Sequence, residues 1–371
     1  MLAMLKKITN INNWLIIILF PFSAIILILI LILNPFFKLR FGPITSYRFG
    51  HYVKNIELYL SHKKQDPNFF LKTFDFFFLS QKSSNLYFKK MCNRYVTILP
   101  FQVLYLPFKI AEKIIFFRKN LLNLRYYDYD RNNHLDIVNC QLKFTQEEIN
   151  KGDKILEKIG VTKNDKIVCL STRDDEYMKK NLLSKYNPEH KYKFRNSDVQ
   201  SYKLASNELT KLGYKVVRVG KDTEKKINFE NDKIIDYSKS NIKSDFMDIY
   251  LAHRCAFAFG DSSGWSTAAM SFRKYFAFAN WVPFNNLHYY SKKFTFIFKY
   301  YFDEILNRKL SINEIFIRKI YLLDAKDLKN NKIKIIDNSP EDILNLVLEV
   351  ESKYDGKFNY DQEYNFVNQK F

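Results

Sequence analysis

The 371-residue sequence predicts an α/β protein of two Rossmann-like domains behind one N-terminal transmembrane helix. Three observations carry this. The chain has room for two α/β domains of about 150 residues each plus an appendage. Thirty residues between Lys7 and Lys38 hold no charge. From about residue 150 onward, short apolar strand patterns alternate with helical ones.

The apolar segment contains an unbroken run of nine Ile and Leu, Ile25 to Leu33. At 1.5 Å per residue, Trp14 to Leu33 covers roughly 30 Å, the thickness of a hydrocarbon core, with Trp14 suited to one interface and Pro21 a point for a kink. A cleavable signal peptide is the rival, but Asn34, Pro35, Phe36 and Phe37 offer no small-residue cleavage pattern. Lys6 and Lys7 precede the helix, whereas Lys38, Arg40, Arg48 and Lys54 follow it, which by the positive-inside rule places the C-terminal bulk at the cytoplasmic face of the inner membrane, as a single-pass protein. Four cysteines, at 92, 140, 169 and 255, have no metal-ligand spacing and no disulfide density, as suits a reducing compartment.

Residues 38–131 carry 17 Lys and Arg against 6 Asp and Glu, interleaved with Phe69-Phe70, Phe76-Phe77-Phe78 and Phe116-Phe117. Such a segment suits either an ordinary aromatic core or a seat on anionic lipid. Thr97 to Phe117 is apolar but broken by Pro100, Pro107, Lys109, Glu112 and Lys113, so an in-plane or core helix is expected there rather than a second span.

The pattern from Thr145 to Ile159, with Glu148 three residues after Thr145, is a capped helix ending at Gly160. Strands follow at Lys166–Leu170, Tyr214–Val219, Lys233–Tyr237, Cys255–Phe259 and Tyr275–Ala279. Helices fall between them at Asp198–Leu212, Ser244–His253 and Trp265–Phe272. Helix-length separations imply parallel βαβ units in a doubly wound sheet, whose ligands bind at the carboxyl ends of the strands. The expected organisation is an anchor over 1–37, a first, membrane-proximal α/β domain over 38–150, a second, nucleotide-binding domain over 151–325, and a C-terminal extension over 326–371 whose helix packs back.

Three of those strand ends are polar. The first runs into Thr172-Arg173-Asp174-Asp175, the second into Arg218-Val219-Gly220-Lys221, and the Cys255 strand into Gly260-Asp261-Ser262-Ser263-Gly264. Arg173, Arg218 and Lys221 converging beside a Ser-Ser-Gly turn at a helix N-terminus would hold a diphosphate, because cations, hydroxyls, aligned N–H groups and the helix dipole all favour negative charge there. Each feature alone has an ordinary use: an Arg after a strand as a surface ion pair, a Ser before a helix as an N-cap.

In order along the chain, Arg195-Asn196 with Tyr202, Leu212-Gly213-Tyr214 through Gly220, Ser244 through Leu251, Ser262-Ser263-Gly264 and Asn280 resemble a little-characterised bacterial family of membrane-associated glycosyltransferases. Arg48-Phe49-Gly50-His51 resembles that family's N-terminal Arg-x-Gly-His element. The likeness covers about 40 to 320. It implies a GT-B-like pair of domains facing across a cleft, with the donor held by the second through Arg173, Arg195, Arg218, Lys221, Asp261, Ser262, Ser263 and Gly264. More distantly, Thr172-Arg173-x-Asp175 and the Ser-Ser-Gly turn are similar to motifs of fucosyltransferase-like folds, though no His precedes Arg173.

Glycosyl transfer from a nucleoside diphosphate builds charge on the departing phosphate, which cations and N–H groups can stabilise without a metal. No Asp-x-Asp pair sits between apolar strands, and Asp128-Tyr129-Asp130 lies in a polar connector, so no metal and no cofactor beyond the donor substrate is expected. The acceptor-side base is expected at His51, with Asp66 and Asp75 in reserve and Asp248 on a helix under the nucleotide site.

A net charge of +20 also admits nucleic acid, anionic lipid or phosphorylated substrates as partners, unless the lysine excess reflects an AT-rich genome. Hydrophobic residues at 47% and aromatics at 17% exclude a disordered tail. Only 9 Gly, no heptads and no internal period exclude collagen, coiled coil and repeat arrays. The leading expectation is a membrane-anchored enzyme acting on a nucleotide sugar and a lipid-linked or surface-polysaccharide acceptor. A non-catalytic nucleotide-binding scaffold of a glycan assembly system is the alternative. Nucleic-acid binding is not expected, because the basic strand ends accompany a serine-glycine phosphate turn.

Overall fold

In a computed structural model of the chain, the described residues are 13–68, 71–181, 193–224, 226–227, 229–287 and 291–359, with the side chains of 13–19, 177, 178, 181 and 286 left aside. The Phe69-Phe70 pair and the side chain of Trp14 therefore lie outside what is described. The chain divides into two compact units, 1–134 and 135–371.

Unit 1 begins with α1 (Asn13–Leu33), followed by β1 (Lys38–Ile44), α2 (Phe49–Gln65), β2 (Thr73–Leu79), α3 (Leu86–Cys92), β3 (Thr97–Ile98) and α4 (Phe101–Ala111). Its sheet has the order β1-β2-β3 and is parallel throughout. The pleat puts Phe76 and Phe78 on one face and Phe77 on the other, and both faces are covered: Phe77 and Phe78 are buried and Phe76 half-buried. Phe78 enters an apolar cluster with Phe41, Leu104 and Phe108, so α4 is a core helix.

Helix α1 joins the same cluster through Leu27 and Ile30, with Ser23 buried on the same face. This changes the expected anchor. Among the described residues no helix is long and apolar enough to cross a membrane. One face of α1 serves the core of unit 1 rather than standing apart from it.

Unit 2 contains α5 (Gln146–Leu156), β4 (Ile167–Ser171), α6 (Lys203–Lys211), β5 (Lys215–Val219), β6 (Ile234–Asp236), α7 (Asp245–Arg254), β7 (Phe257–Gly260), α8 (Gly264–Ser271), β8 (Tyr275–Trp281) and β9 (Phe294–Phe298). These strands form a parallel sheet of order β6-β5-β4-β7-β8-β9, the doubly wound arrangement with β4 and β7 at its centre. Helix α5 has the expected capping box, Thr145 with Glu148. It packs on α7, the Tyr250 hydroxyl donating to Asp153 over 2.7 Å, and a Cβ at Gly152 would fall inside the Tyr250 ring. That contact makes α5 part of unit 2, so the division falls at about 134 rather than 150.

Beyond β9 the chain adds an antiparallel sheet of β10 (Tyr300–Asp303), β11 (Arg308–Lys309) and β12 (Ile333–Ile336). The final described helix, α9 (Pro340–Tyr354), is capped by Ser339 and buries Ile343, Leu346, Val347 and Val350 against the large sheet.

Candidate functional sites

At the carboxyl ends of β4 and β7, one hydrogen-bonded constellation forms in unit 2. Gly260 ends β7 at φ +136°, where a Cβ would sit 1.9 Å from the Ser171 carbonyl oxygen. Only glycine fits that approach. It lets the Asp261 N–H donate to that oxygen at 3.0 Å and sends the chain into the serine turn. Ser263 then caps α8 in a reciprocal box with Ser266, and its hydroxyl lies 2.8 Å from that of Ser171.

Two arginines reach this turn. The Arg195 guanidinium donates to the Ser262 hydroxyl at 3.0 Å and to its carbonyl at 3.3 Å. Arg173 is fixed by its backbone N–H, which donates to Asp261 at 2.7 Å, and by its Nε, which donates to Asn196 at 3.3 Å. Both arginines are half-buried. Buried Lys299 donates to the Asn196 carbonyl at 2.6 Å and pairs with Asp337, pinning the segment that carries Arg195. Nothing in the sequence pattern marks Lys299 or Ser197, because their partners lie far along the chain.

Asp261 faces the protein, not a ligand. Its Oδ2 accepts from the Arg173 N–H and the Ser197 hydroxyl, each at 2.7 Å. Burial pushes its carboxyl up to about 6, only partly opposed by those donors and by the charges of Arg173 and Lys299. A buried carboxylate that orders the loop is a poor contact for phosphate, so its assignment to donor binding is revised.

Arg218 and Lys221 are likewise engaged elsewhere. The Arg218 side chain is 2% exposed and pairs at 3.3 Å with Asp236, its register partner across β5 and β6. It is turned into the sheet because a residue inside a central strand alternates between two covered faces, whereas a loop arginine does not. Lys221 pairs at 3.3 Å with Asp245 at the start of α7. The structure thus assembles Arg173, Arg195, Ser262, Ser263 and Gly264, with Ser171 and Asn196 added, and leaves Arg218 and Lys221 outside the hydrogen-bonded group.

Asp248 on α7 accepts from the Tyr237 hydroxyl at 2.9 Å, and burial raises its carboxyl to about 6. Its carbonyl accepts from Trp265 Nε1 at 2.8 Å, tying α7 to α8 beneath the serine turn. Asn280 is structural: its amide donates to the Tyr202 hydroxyl, and it exchanges two 2.7 Å bonds with Asn338.

A second constellation lies in unit 1. His51 stands in the first turn of α2, with Nδ1 2.7 Å from Asp128 Oδ1. A carboxylate can only accept, so Nδ1 donates to it and Nε2 is the ring nitrogen left over. Asn55, one turn later, donates to the same oxygen at 3.1 Å, and buried Lys54 donates to the Asp128 carbonyl at 2.8 Å. Burial would raise the Asp128 carboxyl, but the hydrogen bond and charge of His51, with Asn55 and Lys54, hold it below the ordinary value. Burial lowers Lys54 to about 8 against the pull of Asp128 and Asp130. The imidazole is 36% exposed. This is an oriented, water-accessible imidazole, and the residue that orients it belongs to the Asp128-Tyr129-Asp130 triplet.

The reserve bases fare differently. Asp75 is locked by Arg40 through two 2.7 Å bonds and by the Tyr59 hydroxyl. Asp66 is the exposed C-cap residue of α2.

No family model matches the chain, and no curated protein matches it. Similar solved structures include a glycosyl transferase family 9 protein from Veillonella parvula DSM 2008, 13% identical, covering 84% of this chain and 98% of that one with a TM-score of 0.43. A dodecameric iron-containing heptosyltransferase, TibC, solved with ADP-D-beta-D-heptose, is 10% identical over 85% of this chain and 78% of its own, with a TM-score of 0.43. TibC from enterotoxigenic E. coli H10407 is 13% identical over 70% and 63%, at 0.38.

Proposed function

We propose that the protein is a glycosyltransferase that moves a sugar from a nucleoside-diphosphate donor to a lipid-linked or surface-polysaccharide acceptor, working at the cytoplasmic face of a membrane. The observation that carries this reading is the Arg195 guanidinium on Ser262, with Arg173 held nearby through Asp261 and Asn196, at the N-terminus of α8 and the carboxyl ends of β4 and β7. In the proposal the guanidinium groups and the backbone N–H groups at the start of α8 take up the charge that grows on the leaving diphosphate, so the reaction needs no metal. His51 Nε2 accepts the acceptor hydroxyl proton, and Asp128 stabilises the imidazolium that results.

A non-catalytic scaffold would keep the serine turn just as well. The His51–Asp128 pair favours the enzyme, since a scaffold has no use for an exposed imidazole held in one tautomer.

The test is a thermal-shift and calorimetric screen of the purified full chain against nucleoside diphosphates and their sugars, since a ligand of the native state raises apparent stability by mass action. At least one nucleoside diphosphate should bind, and Arg195→Ala should weaken it by about 1.5 to 3 kcal/mol, the loss of a charged hydrogen bond to phosphate. Unchanged affinity in Arg195→Ala would remove the assigned site. Topology is read separately: a C-terminal fluorescent fusion should glow, whereas alkaline phosphatase activity at that end would place the enzyme on the other face.

A further inference from the structure

Among the described residues of unit 1, nothing covers the outer face of α1. Ile25, Ile28, Leu29 and Ile32 are all exposed, one helical face away from buried Ser23, Leu27 and Ile30. This face continues past the end of the helix. Phe36 and Phe37 are exposed, and the Phe37 ring meets that of exposed Phe74 edge-on at 5.6 Å. Leu71 beside them is 70% exposed.

On the other flank, Asn34 and Asn120 exchange amide hydrogen bonds of 3.2 and 2.8 Å, and Asn120 also donates to the Leu39 carbonyl. These bonds hold the turn Ile115–Asn120 beside the foot of α1, and the turn exposes Ile115 and Phe116 at 70% and 74%. The apolar collar thus comes from three chain segments, each tied to the amino ends of β1 and β2.

Its rim is basic. The segments 36–39, 71–74 and 113–119 contain Lys38, Lys72, Lys113, Arg118 and Lys119 and not one Asp or Glu. A surface that joins large aromatic and aliphatic side chains to a mainly cationic border, with exposed Glu112, beside Lys113, paired to Lys109, fits an anionic bilayer, where acyl chains take the first and headgroups the second. A protein partner would be expected to meet some acidic or neutral polar rim.

From this we propose that unit 1 is seated in the membrane interface through the collar of Phe36, Phe37, Leu71, Phe74, Ile115 and Phe116, with the outer face of α1 in the acyl layer and the basic rim on anionic headgroups. This deepens the membrane part of the proposed function and rests on it. It also orients the unit. The collar lies at the amino ends of the strands while the chain leaves the carboxyl end of β1 toward His51, so the imidazole side of the unit faces water.

The experiment is spin-label depth measurement on the full chain in phosphatidylcholine vesicles containing phosphatidylglycerol. Labels go at Phe36→Cys and Phe116→Cys, with Lys89→Cys as control. Cys140 is replaced by Ser, the other three cysteines being buried. Lys89 is exposed and lies beside Ser80 and Gln81, past the carboxyl end of β2.

Both collar labels should be several-fold more accessible to oxygen than to an aqueous nickel chelate, and the Lys89 label the reverse. The variant Lys72→Glu, Lys113→Glu, Lys119→Glu should shift the collar labels toward water in the same vesicles. Collar labels as open to nickel as the control, in protein that still sediments with vesicles, would overturn the seat while leaving the membrane part of the proposed function intact. Failure to sediment at all would remove both. Shielding of the collar in the absence of lipid, growing with protein concentration, would overturn the seat in favour of a second copy of the chain.

Discussion

Both units bury an arginine against an aspartate that is its register partner on the neighbouring strand, yet the two pairs are built differently. In unit 1, Arg40 and Asp75 meet through two 2.7 Å bonds, and Tyr59 takes up a further position on the carboxylate. In unit 2, Arg218 contacts Asp236 at 3.3 Å, and the same carboxylate accepts from the Ile227 N–H and the Ser238 hydroxyl. The first pair is a lock between two strands. The second is one donor among several on a carboxylate that organises a loop. Neither arginine is a ligand group, although both sit on strands that lead toward a site. The groups to which the proposal gives chemistry, His51, Arg173 and Arg195, all lie outside the strands: His51 is in the first turn of α2, Arg173 follows β4, and Arg195 ends the short helical turn Lys193–Arg195.

The largest expected effect separates the chemistry from the locks. Replacing His51 by Ala should lower turnover about 10² to 10⁴-fold while donor affinity and melting temperature stay near normal, as measured on one preparation. Near-normal turnover would show that the proton goes elsewhere. Asp128→Asn should share the defect in part and shift the pH dependence of turnover, since it disturbs the tautomer without removing the ring.

Next comes the unit 1 lock. Asp75→Ala leaves Arg40 buried without its bidentate partner and should cost about 3 to 5 kcal/mol in denaturant unfolding. Arg218→Ala should cost less, on the order of 2 to 3 kcal/mol, because Asp236 keeps two other donors. If the order is reversed, the geometric contrast between the pairs does not measure their strength.

The last effect concerns pH. Burial raises the Asp261 carboxyl to about 6 in the folded protein, above its unfolded value, so the native state holds that proton more tightly. The stabilisation is complete below about pH 4 and is lost as pH rises through 6. In Asp261→Asn, whose carbonyl can still accept from Arg173 and Ser197, that part of the slope should vanish, on the order of 3 kcal/mol across the window. An unchanged stability profile would mean that Asp261 is already neutral, or not buried, in solution.

Much of unit 2 was legible in the sequence because parallel strands covered on both faces read as short apolar runs, and because a capping box and a serine turn are local devices. Unit 1 was far less legible. Its strands are short, and aromatic residues crowd both faces, so Phe76, Phe77 and Phe78 give no alternation from which a buried face can be read. The antiparallel sheet β10–β12 was not foreseen at all, since β12 returns across about thirty intervening residues to pair with β10.

By itself, then, the sequence determined the doubly wound sheet of unit 2, the helix N-terminus behind Ser263 and the long apolar segment before Lys38, each of them set by patterns within a few residues. Tertiary structure decided how side chains are used. It turned Arg218 and Asp261 inward and brought Arg195 to Ser262 across 67 positions and Asp128 to His51 across 77. It also laid one face of α1 on the core of unit 1. The reason is physical: whether a charged group serves a ligand, a partner or the fold depends on which distant groups share its low-dielectric surroundings, and no local pattern encodes that.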